Sequence, residues 1–285
     1  MGMETRPAIN IKGRLIDFDT PRVMGIINIT PDSFYSGSRY ADEKSVLEAA
    51  GRMVEEGADF IDIGGCSTRP GAAEISIDEE SGRVIPAVRL ISSRFPGAII
   101  SVDTFRSAVA REACENGAHM INDISGGEAD EAMFPLIGEL NVPYVLMHMQ
   151  GTPLTMQKNP QYDDIIADIL QWYGKRIVAL HALGVNDIIL DPGFGFGKTV
   201  AGNFELLRRL DELTVAGLPL MVGLSRKSMI WKSLGITPGE ALTGTTVLNT
   251  AALLKGASVL RVHDVREARE AVKLISLARK KNSET

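Results

Sequence analysis

An apolar run that ends in a carboxylate and passes into three alternating glycines is the stretch of this sequence best suited to chemistry. Ile188 to Leu190 precede Asp191, and Pro192 cannot donate a hydrogen bond to a sheet, so a buried strand is predicted to stop at Asp191. Residues 193–197 alternate glycine and phenylalanine, which combines close backbone approach with flat apolar surfaces. The pattern favours a ligand loop over a mobile connector. It is not a P-loop, because that motif would need glycine where Pro192 stands.

Other predicted strands also end in groups that can bind ligands or carry charge. The candidates are Asn28, Asp103, Asn122, Ser225, Lys227, Arg261 and His263. Arg261 and His263 are two residues apart on one strand, so they share a face, and buried cations there need a partner such as a phosphate or pyrophosphate. An internal salt bridge from Arg261 to Asp103 or Asp191 is the second interpretation. Four further polar residues are interpreted as ordering loops or as structural: Asp62, Asp123, His148 and Arg226.

Magnesium is the metal that these residues favour. No pair among the four histidines has zinc-ligand spacing. Mg2+ needs only one or two protein oxygens beside a phosphate, and the amide oxygen of Asn28 is a candidate ligand.

A repeating order of apolar strand, polar loop and amphipathic helix positions these residues. The strands are predicted at 23–27, 60–63, 99–102, 120–121, 144–147, 188–190, 220–222 and 259–262. The helices are predicted at 43–55, 78–95, 106–116, 131–140, 163–183, 203–212, 243–254 and 265–280. This alternation predicts an α/β fold, a (β/α)8 TIM barrel, with a doubly wound open sheet as the alternative. Residues 8–22 predict a short N-terminal hairpin that caps one end.

Length and composition agree with one domain. The 285 residues are 45% hydrophobic, and we expect a single domain over 1–285 with the barrel proper at about 21–282. A net charge of -6 with scattered basic residues argues against nucleic acid or a membrane as partner. Two cysteines and the absence of an apolar signal segment favour the cytoplasm.

Seven motifs, in this order and spacing, resemble those of the dihydropteroate synthase family. They are Asn-Ile-Thr-Pro-Asp-Ser-Phe (28–34), Gly-Gly-Cys-Ser-Thr-Arg-Pro-Gly (64–71), Ser-Val-Asp-Thr (101–104), Ile-Asn-Asp-Ile-Ser-Gly (121–126), Asp-Pro-Gly-Phe-Gly-Phe-Gly-Lys (191–198), Ser-Arg-Lys-Ser (225–228) and Arg-Val-His-Asp (261–264). The resemblance extends from Pro21 to the last helix. Seven motifs together are far more specific than any one of them.

The resemblance implies a transferase of folate biosynthesis. 6-Hydroxymethyl-7,8-dihydropterin diphosphate would lose pyrophosphate, and the amine of p-aminobenzoate would take its place to give 7,8-dihydropteroate. The resemblance also implies Mg2+ as cofactor, binding of sulfonamide analogues, and a homodimer formed through the outer helices of the last units.

The implied roles follow the parts of this reaction. Asp103 and Asp191 can hydrogen-bond the pterin and stabilise the cation that forms when its carbon–oxygen bond ionises. Asn122 and Lys227 resemble the other pterin ligands. The residues implied for the pyrophosphate are Arg261, His263, Arg69 and, through Mg2+, Asn28. Those implied for the p-aminobenzoate pocket are Thr68, Pro70, Phe196 and Ser225.

Two positions depart from the family pattern. Ser36 stands where the first loop usually has a second acid, which leaves Asp32 as the candidate acid there, and Cys66 stands where the second loop usually has glutamate. These departures are the support for one alternative, a non-catalytic pterin-binding protein. The other alternative, a methyltetrahydrofolate:corrinoid methyltransferase, would have no use for Arg261, His263 or the Thr68-Arg69 loop.

Overall fold

A two-stranded hairpin and a ring of parallel strands form the sheet structure. The computed structural model describes residues 7–29, 39–66, 75–152, 155–156 and 160–279, with the side chains of 39–42 left out of that description. The hairpin consists of β1 (Ala8–Ile11) and β2 (Arg14–Asp17). The ring consists of β3 (Arg22–Asn28), β4 (Phe60–Gly64), β5 (Ile99–Asp103), β6 (Met120–Asp123), β7 (Tyr144–Met147), β8 (Ile188–Asp191), β9 (Met221–Val222) and β10 (Val259–Val262).

Parallel pairing continues around the whole ring. The eight strands are hydrogen-bonded in the order β8-β7-β6-β5-β4-β3-β10-β9. Leu190 at the end of β8 bridges Leu220 in parallel, and its N–H donates to the Pro219 carbonyl at 2.9 Å. The bridge joins the two outer strands of the sheet, so the predicted barrel is confirmed and the open sheet is wrong.

Helices cover the outside of the ring. They are α1 (Arg39–Glu55), α2 (Ile77–Arg94), α3 (Ser107–Glu115), α4 (Met133–Leu140), α5 (Ile165–Ala182), α6 (Val200–Arg208), α7 (Ser228–Leu234), α8 (Leu242–Leu254) and α9 (Val265–Arg279), with 3-10 turns at Leu210–Ala216 and Pro238–Glu240. Among these helices none is long and apolar enough to cross a membrane.

Two helix predictions differ from the structure. The predicted helix at 203–212 is α6 followed by a 3-10 turn, and α6 begins earlier because the Thr199 hydroxyl accepts a hydrogen bond from Gly202 N at 3.0 Å and caps it. Helix α7 is not predicted, since its seven residues are too few to show amphipathic periodicity. It begins directly after Lys227 and ends at Gly235, which has a φ of 66°.

Side chains along each strand alternate between the helix layer and the barrel interior. In β4, Ile61 and Ile63 belong to the core beneath the helices, whereas Phe60 belongs to a separate cluster inside the barrel. Residues two apart share a face of a strand. The polar residues that share the inward face in this way include Asp62, Asp103, Asn122, Asp191 and Arg261.

The hairpin covers the end of the barrel opposite these polar residues. Its side chains Ile9, Ile11 and Ile16, with Phe18, are buried against the first inward residue of each strand. Those residues are Met24, Phe60, Ile99, Met120, Val145, Ile189, Met221 and Val259. The predicted N-terminal cap is therefore confirmed, and the polar end of the barrel has an apolar floor beneath it.

Candidate active site at the barrel mouth

A buried network of opposite charges crosses the barrel interior. Arg261 Nε donates to Asp62 Oδ2 at 2.6 Å, and its Nη2 donates to Asp103 Oδ2 at 2.6 Å. Asn122 Nδ2 donates to the same Asp62 oxygen at 3.0 Å. Asp62 is fully buried, and because it bonds Arg261 and Asn122 the interpretation that it only orders its loop is wrong. Arg261 does form the internal salt bridge to Asp103 that was its second interpretation, with Asp62 as an additional partner.

Burial brings the acids and the lysine of the mouth toward neutral pKa values. It raises the pKa of Asp103 to about 7, although the charge of Arg261 acts in the opposite direction. Burial also raises the pKa of Asp191, against the nearby charge of Lys227. It lowers the pKa of Lys227 to about 8, against the charge of Asp191. Perturbed groups gathered at one strand end are typical of an active site.

The glycine loop (residues 193–199) brings aromatic groups next to Asp191 and Lys227. Asp191 Oδ1 accepts a hydrogen bond from Gly193 N at 2.8 Å. Lys227 Nζ donates to the Phe194 carbonyl and lies 4.7 Å from the centroid of the Phe196 ring. A β-carbon on Gly193 would lie 2.0 Å from the His148 carbonyl oxygen, so this position requires glycine. The loop, Asp191 and Lys227 therefore form one wall of the mouth.

A serine and a histidine meet at the rim. His263 Nδ1 lies 3.0 Å from Ser225 Oγ, and the backbone N–H of His263 donates to the same oxygen at 3.3 Å. The sequence pattern shows no serine close to His263, but β9 and β10 are neighbours in the ring and bring the two together. This contact orients the imidazole beside the mouth, two residues beyond Arg261.

Asn28 faces the same mouth next to Asp103. The register pairs Asn28 with Gly64 and Gly64 with Asp103. A β-carbon on Gly64 would lie 3.5 Å from Asn28 Oδ1 and 3.8 Å from Asp103 Oδ2, so glycine keeps open the space between an amide oxygen and a carboxylate. Such oxygens are the ligands that Mg2+ prefers, and the residues fit the predicted ion. No group of three acid, histidine or cysteine side chains in the described residues could hold a metal by itself.

Two charged residues outside the mouth, Asp123 and Arg226, have structural roles, as predicted. Asp123 is buried and accepts hydrogen bonds from the Ser125 backbone at 2.7 Å and from the Tyr144 hydroxyl at 2.6 Å. Arg226 donates to Asp264 from Nε at 3.0 Å and from Nη2 at 2.8 Å. Both residues therefore stabilise the loops that follow their strands.

Lys198 is a further buried residue of the site, one not predicted from the sequence. It lies against His148, which is 4% exposed and is the core histidine that was predicted. Burial, with the charge of Lys198 as a smaller contribution, lowers the pKa of His148 to about 2. The neutral imidazole can accept from the lysine. Lys198 is the last residue of the motif at 191–198, but no signal in the sequence shows that it points inward.

Several predicted site residues lie outside the described part of the chain: Thr68, Arg69, Pro70, Asp32 and Ser36. Cys66, just before the second of these gaps, is half-buried. Burial raises the pKa of its thiol, and the charge of Glu80 raises it further. The thiolate is therefore disfavoured, so this departure from the family pattern does not create an activated nucleophile.

Comparison with known proteins gives matches over almost the whole chain. The family described as pterin binding enzyme matches residues 24–263. The chain is 44% identical over 275 residues to the dihydropteroate synthase of Escherichia coli K12, covering 95% of this chain and 97% of that one. The structure is similar to the Yersinia pestis dihydropteroate synthase solved with a sulfonamide drug, with a TM-score of 0.90, 43% identity and coverage of 95% and 99%. It is also similar to the Xanthomonas albilineans enzyme solved with 4-aminobenzoic acid, with a TM-score of 0.89, 38% identity and coverage of 97% and 100%.

The charge network predicts how Asp103 titrates when its partner is removed. Arg261→Met eliminates the charge that lowers the pKa of Asp103, so that pKa should rise above its value of about 7. Infrared titration of the carboxyl band, assigned by comparison with Asp103→Asn, measures the shift. Arg226→Met is the matched control, because Arg226 donates to Asp264 instead, and it should leave Asp103 unchanged. An unchanged or lower pKa in Arg261→Met would contradict the proposed coupling.

Proposed function

Because the chain belongs to the pterin binding enzyme family, and within it to the dihydropteroate synthases, we propose that its barrel mouth condenses 6-hydroxymethyl-7,8-dihydropterin diphosphate with p-aminobenzoate. The products are 7,8-dihydropteroate and pyrophosphate. One observation carries the assignment of residues. Two acids, the buried Asp191 and the largely buried Asp103, lie at the same end of the barrel as two cations, Lys227 and Arg261. This is the arrangement needed to separate a cation from an anionic leaving group.

The acids serve the pterin. The bond between the exocyclic carbon and the diphosphate oxygen breaks, and both electrons leave with pyrophosphate. The positive charge that remains is delocalised into the pterin ring, where the carboxylates of Asp103 and Asp191 stabilise it. Asn122 and Lys227 complete the set of pterin ligands that we propose. Since Asp191 is already bound to the Gly193 N–H, its orientation does not depend on the substrate.

The cations serve the leaving group. Arg261 and His263 lie on one face of the last strand and its extension, and we propose that both bind the departing pyrophosphate together with Arg69. In the described structure Arg261 is neutralised by Asp62 and Asp103. Asn28 is the proposed protein ligand of Mg2+, which when bound would add positive charge for the diphosphate.

The arylamine needs position rather than activation. Its amine is neutral at pH 7, so its lone pair can attack the exocyclic carbon, after which the nitrogen releases a proton. We propose that Phe196 and Ser225 shape this pocket with Thr68 and Pro70. The complexes of the two structural relatives, one with 4-aminobenzoic acid and one with a sulfonamide drug, support the proposal that this chain binds both ligand types.

Pyrophosphate release tests the reaction and the metal together. The chain should release pyrophosphate from the dihydropterin diphosphate when both p-aminobenzoate and Mg2+ are present, and release should stop when EDTA replaces the metal. The Asn28→Ala variant should require more Mg2+ for half-maximal rate, because it lacks the proposed amide ligand. Binding of the pterin without release would reject the synthase reaction. Release unaffected by EDTA would reject Mg2+.

The role of Asp191 predicts a separation of rate from affinity. Asp191→Asn keeps an oxygen for the Gly193 N–H but removes the charge, so kcat should fall by about 100-fold while the Kd of 6-hydroxymethylpterin changes by less than about fivefold. Steady-state kinetics and calorimetry measure the two quantities. The matched control is Asp211→Asn, an acid paired with Lys255 at 3.0 Å on the surface, which should change neither. Equal losses of rate and affinity would count against the proposed role.

We further propose that the protein acts as a homodimer in the cytoplasm. Apolar side chains on the last two helices support a subunit contact, since Leu254, Leu274 and Leu277 are 59%, 66% and 55% exposed. Sedimentation velocity should give the mass of two chains at micromolar concentration, and Leu274→Glu should shift the mass toward one chain. A wild-type monomer at that concentration would reject the dimer.

A further inference from the structure

Lys198 is buried beneath the glycine loop and is directed at the loop's own backbone. Its side chain is 3% exposed. Its Nζ donates to the Gly193 carbonyl at 3.1 Å and to the Phe196 carbonyl at 3.0 Å. The same nitrogen lies 3.2 Å from His148 Nδ1 and 3.4 Å from the His148 carbonyl oxygen. All three ammonium protons therefore have acceptors, and two of these acceptors belong to the loop.

Burying an ammonium beneath the glycine loop costs desolvation free energy. Burial lowers the pKa of Lys198 to about 7, opposed by the charge of Asp191. An apolar side chain of similar volume would avoid this desolvation cost. The charge therefore indicates a function beyond packing.

The loop that Lys198 contacts is the one that orients Lys227. The Phe194 carbonyl accepts from Lys227 Nζ, and the Phe196 ring lies under the same ammonium at 4.7 Å. The carbonyls bound by Lys198, those of Gly193 and Phe196, lie on either side of Phe194 in the chain. Fixing these two carbonyls restricts the backbone angles that determine where the Phe194 oxygen and the Phe196 ring point.

Two neutral side chains bind the loop from other directions. The Tyr162 hydroxyl donates to the Gly197 carbonyl at 2.8 Å. Asn203 Oδ1 accepts from the Gly195 N–H at 2.7 Å. The loop is therefore bound by side chains along most of its length.

We propose that Lys198 is a positioning residue for the arylamine: by binding the Gly193 and Phe196 carbonyls it fixes the Phe196 ring against which the arylamine packs. The proposal rests on the function proposed above. Lys198 acts through the loop and does not touch either substrate. Two of the proposed pterin ligands, Asp103 and Asn122, lie on strands away from the loop, whereas Phe196 is part of the loop itself, so loss of Lys198 should affect the arylamine more than the pterin.

Lys198→Met tests this inference, since methionine retains the apolar stem and removes the donor. The KM for p-aminobenzoate should rise about tenfold, while the KM for the pterin diphosphate should change by less than about threefold. Lys273→Met is the matched control, because Lys273 is exposed on α9, and it should behave as wild type. Equal increases in both KM values, or a lower Tm with both KM values unchanged, would overturn the inference and leave Lys198 a structural residue.

A second variant covers the case in which Lys198→Met does not fold. Tyr162→Phe removes one neutral hydrogen bond to the same loop and should raise the KM for p-aminobenzoate about threefold with little change for the pterin substrate. An unchanged arylamine KM in the folded Tyr162→Phe variant would overturn loop positioning. The activity of the wild-type protein in the same assay distinguishes failure of the proposed synthase function from failure of the proposed role of Lys198. An inactive wild type rejects the synthase function, whereas an active wild type with unaltered variants rejects only the role of the loop.

Discussion

Charge buried inside a barrel is the constraint on which this structure depends. Arg261 lies between Asp62 and Asp103; Asp62 is fully buried, and the side chains of Arg261 and Asp103 are only 17% and 11% exposed. Desolvation of such a group costs several kcal/mol, and attraction between the partners offsets most of that cost without a clear gain for folding. An apolar interior of similar volume would serve the fold at least as well. The charges are therefore better explained by the reaction than by stability.

The architecture makes this burial possible by separating polar and apolar layers. The hairpin and apolar inward residues near the start of every strand form an apolar floor, and the polar residues lie further along the same strands. Parallel strands place all their carboxyl ends at one mouth, so acids and cations from distant parts of the chain meet there. Arg261 and Asp62 are 199 residues apart in sequence. Their contact exists only because β10 lies beside β3, which in turn lies beside β4.

The separation of polar and apolar layers inside the barrel explains how much of the structure could be predicted from the sequence. The strands follow from apolar runs bounded by turn residues, and the shared face of Arg261 and His263 follows from the two-residue period of a strand. The two-residue period also puts Asp62 on the same face of its strand as Phe60, which lies inside the barrel. The interpretation that Asp62 only orders its loop overlooked this. The choice between Asp62, Asp103 and Asp191 as partners of Arg261 was not predictable, because it depends on the stagger between strands. The inward direction of Lys198 is likewise set by tertiary contacts with His148 and the loop.

The glycine loop shows why a flexible sequence need not form a mobile loop. Its glycines remove side chains, which allows the backbone to pack against His148 and Gln150 at distances that a β-carbon would not permit. Close packing then exposes carbonyls to buried donors, and Lys198 and Tyr162 use them. The orientation of Phe196 is thus established during folding, before any ligand arrives. For a neutral nucleophile that needs no base, this prior alignment is the main contribution that a protein can make, because ordering the pocket no longer adds to the barrier of the reaction.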